Sequence, residues 1–118
     1  MKFELNAALP IWRQLTSQLK EQIVSGEYPP GSHFPTVRDL AAEADVNPNT
    51  MQRAMTQLEA EGLLVTNRTA GRTVTEDTEI INRTREELAA ERTGNYLRDM
   101  QSLGYKNSEI MRLIKECK

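Results

Sequence analysis

A helix with clearly marked ends, in the middle of the chain, constrains the fold more than any other sequence feature. Asn47 is a favoured N-cap residue, Pro48 suits the first helical position, and Gly62 follows the expected end. Between these markers, apolar residues recur with helical spacing on one side and polar residues occupy the other. The apolar side consists of Met51, Ala54, Met55 and Leu58, and the polar side of Asn49, Gln52, Arg53 and Thr56. The pattern predicts a helix that buries one face and displays the other.

Two more amphipathic helices precede this one. The first begins at Pro10 and ends near Gly26, and its apolar stripe includes Trp12, which we therefore assign to the core. The second begins at Thr36, whose hydroxyl can cap the backbone. Only the short stretch Asp45-Val46 separates the second helix from the third. This order predicts a helix-turn-helix.

A β-hairpin and two further helices are predicted after the third helix. Residues 63–67 and 72–75 are rich in β-branched side chains and flank the turn Arg68-Thr69-Ala70-Gly71. Helical periodicity returns beyond Asp77, and a last helix capped by Asn107 carries an apolar stripe. We predict a mainly α-helical fold with a small β-hairpin. A winged helix-turn-helix domain would span residues 1–76, and a short two-helix C-terminal dimerisation segment would span residues 77–118.

Composition excludes several classes of function. Hydrophobic residues make up 38% and charged residues 27% of the 118 residues, as in a globular protein. No apolar run approaches the about 20 residues of a membrane span, and no secretory signal is recognisable, so we expect a cytoplasmic protein without a membrane partner. One cysteine, Cys117, and one histidine, His33, leave no zinc-ligand set, so we expect neither metal nor cofactor. No carboxylate is paired with a nucleophile at a recognisable spacing, so we expect no enzyme.

The polar face of the third helix has the residue types that read base edges in DNA. The net charge of −2 gives no overall attraction to phosphates, so arginines must be placed on one face to help. A major groove about 12 Å wide admits one helix, and the N-terminal residues of that helix reach the bases first. Asn and Gln can make two hydrogen bonds to adenine, and Arg can do so with guanine. We therefore predict DNA contacts from Asn49, Thr50, Gln52 and Arg53, with the hydroxyls of Thr36 and Thr50 suited to phosphates.

Several short motifs in a fixed order resemble those of one family. They are Pro10-Ile11-Trp12-Arg13-Gln14-Leu15, Gly26-Glu27-Tyr28-Pro29-Pro30-Gly31, Phe34-Pro35-Thr36-Val37-Arg38-Asp39-Leu40-Ala41, Val46-Asn47-Pro48-Asn49-Thr50 and Leu58-Glu59-Ala60-Glu61-Gly62-Leu63. Together they cover roughly residues 8–75 and resemble the DNA-binding domain of GntR-family regulators. The tail, in which Leu103-Gly104-Tyr105 precedes a final helix, resembles that of the YtrA-type branch. In that branch two C-terminal helices dimerise without a larger effector domain.

The resemblance implies further DNA contacts. Arg38 would reach DNA from the second helix, and a wing-tip glycine, here Gly71, would enter the minor groove. The wing departs from the family pattern Gly-x-Gly-Thr-aromatic-Val, because residues 69–74 read Thr-Ala-Gly-Arg-Thr-Val. Arginines near this tip would still favour a narrow A·T-rich groove. The wing residues predicted to contact DNA are Arg68, Thr69, Gly71 and Arg72.

The C-terminal segment is predicted to form a dimer interface, because its apolar stripe has no core of its own. The predicted interface residues are Ile81, Leu88, Tyr96, Leu97, Met100, Leu103, Ile110, Leu113 and Ile114. Cys117 continues the stripe of the last helix and is expected to be a buried or interfacial small hydrophobe.

These features predict a sequence-specific transcription regulator. We expect a repressor that acts as a homodimer on a two-fold-symmetric double-stranded operator. The resemblance implies a transporter operon as its target. Two alternatives remain open at this stage: a winged-helix module that binds another protein, and a regulator gated by a small-molecule effector bound in the C-terminal helices.

Overall fold

The computed structural model describes residues 3–117, and within that range it contains five α-helices and one two-stranded antiparallel sheet. In chain order the elements are α1 (Ile11–Val24), α2 (Val37–Ala44), α3 (Pro48–Ala60), β1 (Leu64–Asn67), β2 (Gly71–Val74), α4 (Thr78–Ser102) and α5 (Asn107–Glu116). The predicted fold class, mainly α-helical with a small hairpin, is confirmed. The chain divides into an N-terminal unit that ends at Arg85 and a C-terminal unit that begins at Glu86. That division lies within α4 and later in the chain than the predicted boundary after residue 76.

The core of the N-terminal unit is formed by α1, α2 and α3, with α3 packed against both of the other helices. The predicted apolar face of α3 is buried throughout. Leu15 and Leu19 of α1 and Leu40 of α2 are likewise fully buried. Trp12 differs from its predicted core position, because it is only half-buried. It lies in the first turn of α1, where the helix reaches the surface.

The predicted starts of α2 and α3 are confirmed by their capping bonds. The Thr36 hydroxyl accepts a hydrogen bond of 3.1 Å from the Asp39 amide, and the Asn47 side-chain oxygen accepts one of 2.8 Å from the Asn49 amide. Between the helices, Asp45 has a positive φ of 54°, a conformation that Asp tolerates better than most residues. It ends α2 and allows α3 to start after only two further residues.

The wing consists of β1 and β2, paired in the register Leu64 with Val74 and Asn67 with Gly71. A third segment, just before α2, hydrogen-bonds to the free edge of β2. Val74 donates its amide to the Ser32 carbonyl and Phe34 donates its amide to the Arg72 carbonyl, each at 2.9 Å. This pairing fastens the wing to the loop that leads into α2.

A short extended arm precedes α1 and is held by two glutamine side chains. The Gln18 amide group accepts from the Glu4 amide at 3.0 Å and donates to the Glu4 carbonyl at 2.6 Å. Gln14 makes the same pair of bonds to Asn6, at 2.7 and 2.8 Å. Both pairs of hydrogen bonds join this arm to α1.

The first turns of α4 belong to the core of the N-terminal unit. Ile81 is only 5% exposed, so it packs within the protomer and is not available as the dimer contact that we predicted. The Arg85 guanidinium donates two hydrogen bonds, of 3.1 and 2.7 Å, to the Val24 carbonyl at the end of α1. This pairing satisfies a carbonyl that the helix itself leaves free. The helix continues through Gly94 without a break.

The C-terminal unit contains the rest of α4 and the amphipathic helix α5. The N-cap of α5 is Lys106, one residue before the predicted cap Asn107, because the Lys106 amide donates a 3.0 Å hydrogen bond to the Glu109 carboxylate. Ile110 is fully buried, whereas Ile114 on the same helix is 48% exposed. Cys117 is exposed, which contradicts a buried position within the protomer.

Candidate nucleic-acid interface

The outward face of α3 is polar along its whole length. Asn49, Gln52, Arg53 and Thr56 are exposed, and Thr50 is half-buried. Asn47 and Pro48 determine this arrangement locally, because they start the helix at the surface while the apolar stripe turns inward. The Gln52 side-chain amide donates a 3.0 Å hydrogen bond to the Thr56 hydroxyl, which leaves the Gln52 carbonyl oxygen available. These donors and acceptors match those of base edges in a major groove.

The Arg53 guanidinium lies over the indole ring of Trp12 in α1. The central guanidinium carbon of Arg53 lies 4.1 Å from the ring centroid, well within the about 6 Å range of cation–π attraction. The corresponding distance for Arg13 is 5.3 Å. The proximity of Trp12 to α3 was not evident from the sequence, because the helical stripe assigned Trp12 to the core and nothing local relates α1 to α3.

The start of α2 presents a second set of predicted contacts. Thr36 and Arg38 are both exposed, and the positive end of the helix dipole lies beside them. Within residues 3–117, the Arg38 side chain makes no hydrogen bond or ion pair. A cationic side chain next to a helix N-terminus is well suited to a phosphate group.

The wing tip is exposed at Arg68, Thr69 and Gly71. Gly71 has a φ of 73°, a left-handed conformation that a residue with a side chain adopts only with strain. Arg72 is half-buried, and its guanidinium forms an ion pair with Glu59 of α3. Arg72 therefore has an intramolecular partner that the sequence did not reveal.

An open cavity of about 530 Å³ lies between the start of α2 and the wing. Its lining includes four of the predicted site residues, Thr36, Arg38, Gly71 and Arg72. The fold thus brings together residues that are more than thirty positions apart in the chain. The predicted residues of α3 do not line this cavity and form a separate surface.

The predicted dimer residues differ in their exposure. Tyr96, Leu103 and Ile114 are exposed, Leu88, Leu97, Met100 and Leu113 are half-buried, and Ile81 and Ile110 are buried. Met111, which was not in the predicted set, is 54% exposed. An apolar surface therefore remains accessible on the helices of the C-terminal unit, and it includes seven of the nine predicted positions.

From Phe3 to Cys117, none of the helices combines the length and apolar character needed to cross a membrane. Over the same residues, His, Cys, Asp and Glu side chains form no cluster that could hold a metal ion.

Comparison with known proteins agrees with this geometry. The family model of the "Bacterial regulatory proteins, gntR family" matches residues 11–74, which is more than half of the chain. The chain is 31% identical over 115 residues to YhcF of Bacillus subtilis, an HTH-type transcriptional regulator, covering 98% of this chain and 95% of YhcF. It is 35% identical over 77 residues to the transcriptional repressor YtrA of the same species, covering 65% of this chain and 59% of YtrA.

A solved structure shows the same overall similarity. A GntR family transcriptional regulator from Listeria monocytogenes superimposes with a TM-score of 0.88 at 32% identity, covering 97% of this chain and all of that one. GntR regulators act by binding DNA and are not enzymes, in agreement with the displayed polar face of α3. The similarity to YtrA supports the YtrA-type branch. The chain belongs to the GntR family of bacterial regulatory proteins and is a DNA-binding transcriptional regulator.

Proposed function

We propose that this regulator is a homodimeric repressor that binds a two-fold-symmetric operator. The observation that carries the proposal is the exposed polar face of α3, on which Asn49, Gln52 and Arg53 lie along the N-terminal half of the helix. That half enters the major groove first in helix-turn-helix proteins, and its side chains contact base edges. Binding to operator DNA would take place in the bacterial cytoplasm.

Contacts with the DNA backbone would come from the start of α2 and from the wing. Arg38 and Arg68 are exposed arginines on these two elements, and Thr36 adds a hydroxyl beside Arg38. Phosphate contacts of this kind orient a protein on the duplex without reading its sequence. Gly71 at the wing tip allows the backbone to approach a minor groove closely, because it has no Cβ.

Dimerisation would occur through the C-terminal unit. Leu103 is 69% exposed, and Met111 and Ile114 of α5 are about half-exposed, so the protomer displays several large apolar side chains there. A second copy of the chain would remove this surface from water. Two α3 helices could then reach half-sites separated by about 34 Å, one turn of the duplex. The second half-site would bind at a high effective concentration.

Two considerations support a repressor role. The relative YtrA is named a transcriptional repressor, and it matches 65% of this chain. In addition, a dimer bound across two successive major grooves occupies DNA that RNA polymerase would need at a promoter. We therefore propose repression by occlusion of the operator.

Selection of bound fragments from random duplex DNA tests the proposal. We expect enrichment of an inverted repeat whose half-sites are about one helical turn apart. Sedimentation of the free protein at tens of micromolar should show a dimer. Failure to enrich any sequence would contradict operator binding, and a non-repeated site bound by a monomer would contradict the dimer.

A further inference from the structure

The stacked pair of Trp12 and Arg53 joins the first turn of α1 to the exposed face of α3. The two residues are distant in the sequence, and their 4.1 Å approach exists only because α1 packs across α3. Trp12 is half-buried, so one part of its ring is supported by the protein while Arg53 itself remains exposed.

The contact with the Trp12 ring is a cation–π attraction and not a conventional hydrogen bond. The guanidinium carries five N–H donors, so a single ring beside it leaves donors for other hydrogen bonds. Within residues 3–117, the Arg53 guanidinium makes no hydrogen bond or ion pair. Its donors are therefore free for the paired acceptors of a guanine edge.

Stacking also restricts an otherwise mobile side chain. A free arginine has many rotamers, and ordering it on binding opposes association. An indole ring that already holds the guanidinium reduces this entropic penalty and restricts the direction in which the donors point. The same contact hinders Arg53 from turning toward a neighbouring phosphate instead of a base.

We propose that Trp12 is a positioning residue for base recognition by Arg53, so that α1 contributes to the operator specificity of α3. Trp12 would act through Arg53 and would not itself contact a base. This inference rests on the proposed operator binding, and it adds to it a residue outside the helix-turn-helix.

A double-mutant cycle tests the inference. The probe is duplex DNA that carries the sequence enriched from random DNA by the unsubstituted protein. We expect Trp12→Leu to weaken binding about threefold to tenfold, the range of one cation–π contact. In an Arg53→Met background the same change should alter binding less than twofold. Trp12→Tyr keeps an aromatic face and should retain most of the affinity.

Measurements of base discrimination distinguish a positioning role of Trp12 from a general loss of structure. Affinity is measured for the enriched sequence and for duplexes in which each base pair is replaced in turn. Trp12→Leu should lower discrimination at the base pair at which Arg53→Met lowers it, and at no other. A merely destabilised protein would lose affinity for all duplexes equally.

Arg13 provides a matched control. Its guanidinium lies 5.3 Å from the same ring, but Arg13 is on α1 itself and outside the face of α3. Arg13→Met should leave the effect of Trp12→Leu unchanged.

Equal losses from Trp12→Leu with and without Arg53 would overturn the inference while leaving operator binding intact. If the unsubstituted protein enriches no sequence, the proposed function fails, and the inference fails with it.

Fluorescence tests the contact without DNA. Trp12 is the single tryptophan of the chain, so its emission reports only on this ring. We expect Arg53→Met to change the emission spectrum of the free protein. An unchanged spectrum would show that the two side chains are not in contact in solution and would also overturn the inference.

Discussion

The guanidinium of Arg72 on β2 forms an ion pair with the carboxylate of Glu59 on α3. The Arg72 and Glu59 side chains are 23% and 30% exposed, so solvent screens the pair only in part. The contact joins the wing to the helix that carries the polar face. An arginine that we predicted to contact DNA therefore also has a structural role within the protomer.

The ion pair predicts different salt dependences for the two wing arginines. Arg68→Gln should reduce the slope of log affinity against log salt concentration by about 1.8, because each protomer of the proposed dimer loses one phosphate contact worth about 0.9. Arg72→Gln should leave that slope nearly unchanged, because its charge is already paired with Glu59. Affinities of both variants for operator DNA, measured over a range of salt concentrations, check this. A slope reduced equally by Arg72→Gln would show that Arg72 contacts phosphate as well.

Removal of Arg53 should reduce specificity. We expect Arg53→Ala to cost about 1–3 kcal/mol of operator binding in each half-site and to relax discrimination at one base pair there. Binding to unrelated DNA should change much less. Arg83 is an exposed arginine on α4 and lies outside the candidate interface, so Arg83→Ala is the control. Gel-shift titrations with specific and unrelated duplexes measure both effects, and unchanged selectivity in Arg53→Ala would contradict the role of α3.

A charge on the apolar stripe of α5 should dissociate the dimer. Ile114 is half-exposed, and Ile114→Glu would place a carboxylate in the proposed interface, where its desolvation is unfavourable. We expect sedimentation to show a monomer and operator affinity to fall at least tenfold. Arg112→Glu introduces the same side chain at an exposed position on another side of α5, and it should remain dimeric. A dimeric Ile114→Glu protein would argue for an interface elsewhere.

Ile81 should contribute to folding and not to association. Because Ile81 is 5% exposed, Ile81→Ala should destabilise the protein by about 2–4 kcal/mol through lost burial and a cavity. Denaturant titration measures that loss. The difference in free energy of unfolding between the variant and the unsubstituted chain should be the same at every protein concentration. The dimer dissociation constant should stay the same. A weakened dimer with unchanged unfolding would restore Ile81 to the interface.

Alkaline pH should destabilise the fold through Tyr28. Burial raises the pKa of the Tyr28 phenol above its ordinary value of 10.0, and the charges of Glu27 and Glu43 raise it further. The folded state thus holds this proton more tightly than the unfolded state, so its contribution to stability is complete below pH 10 and is lost as the pH rises through the folded pKa. Unfolding measured between pH 9 and about 11.5 should show a steeper fall for the unsubstituted protein than for Tyr28→Phe. An equally steep loss of stability with pH in both proteins would contradict the raised pKa of Tyr28.

Local sequence patterns predict where the helices of the N-terminal unit begin and which faces they bury. Thr36 and Asn47 cap the helices that they were predicted to start, and the apolar stripe of α3 is buried. These features depend on residues two to four positions apart, so local spacing carries the information. The polar face that carries Arg53 could be predicted for the same reason, because it is the side of α3 opposite the buried apolar stripe.

The partners of individual side chains depend on tertiary packing. Arg53 on Trp12, Arg72 with Glu59, and the buried position of Ile81 each require elements that are remote in the chain to pack together. An apolar residue on a helical stripe suits a protomer core and a dimer interface equally well, because both remove it from water. Ile81 lies in the first turns of α4, which belong to the N-terminal unit, and it is buried there. The packing of α1 across α3 brings the Trp12 ring close to Arg53.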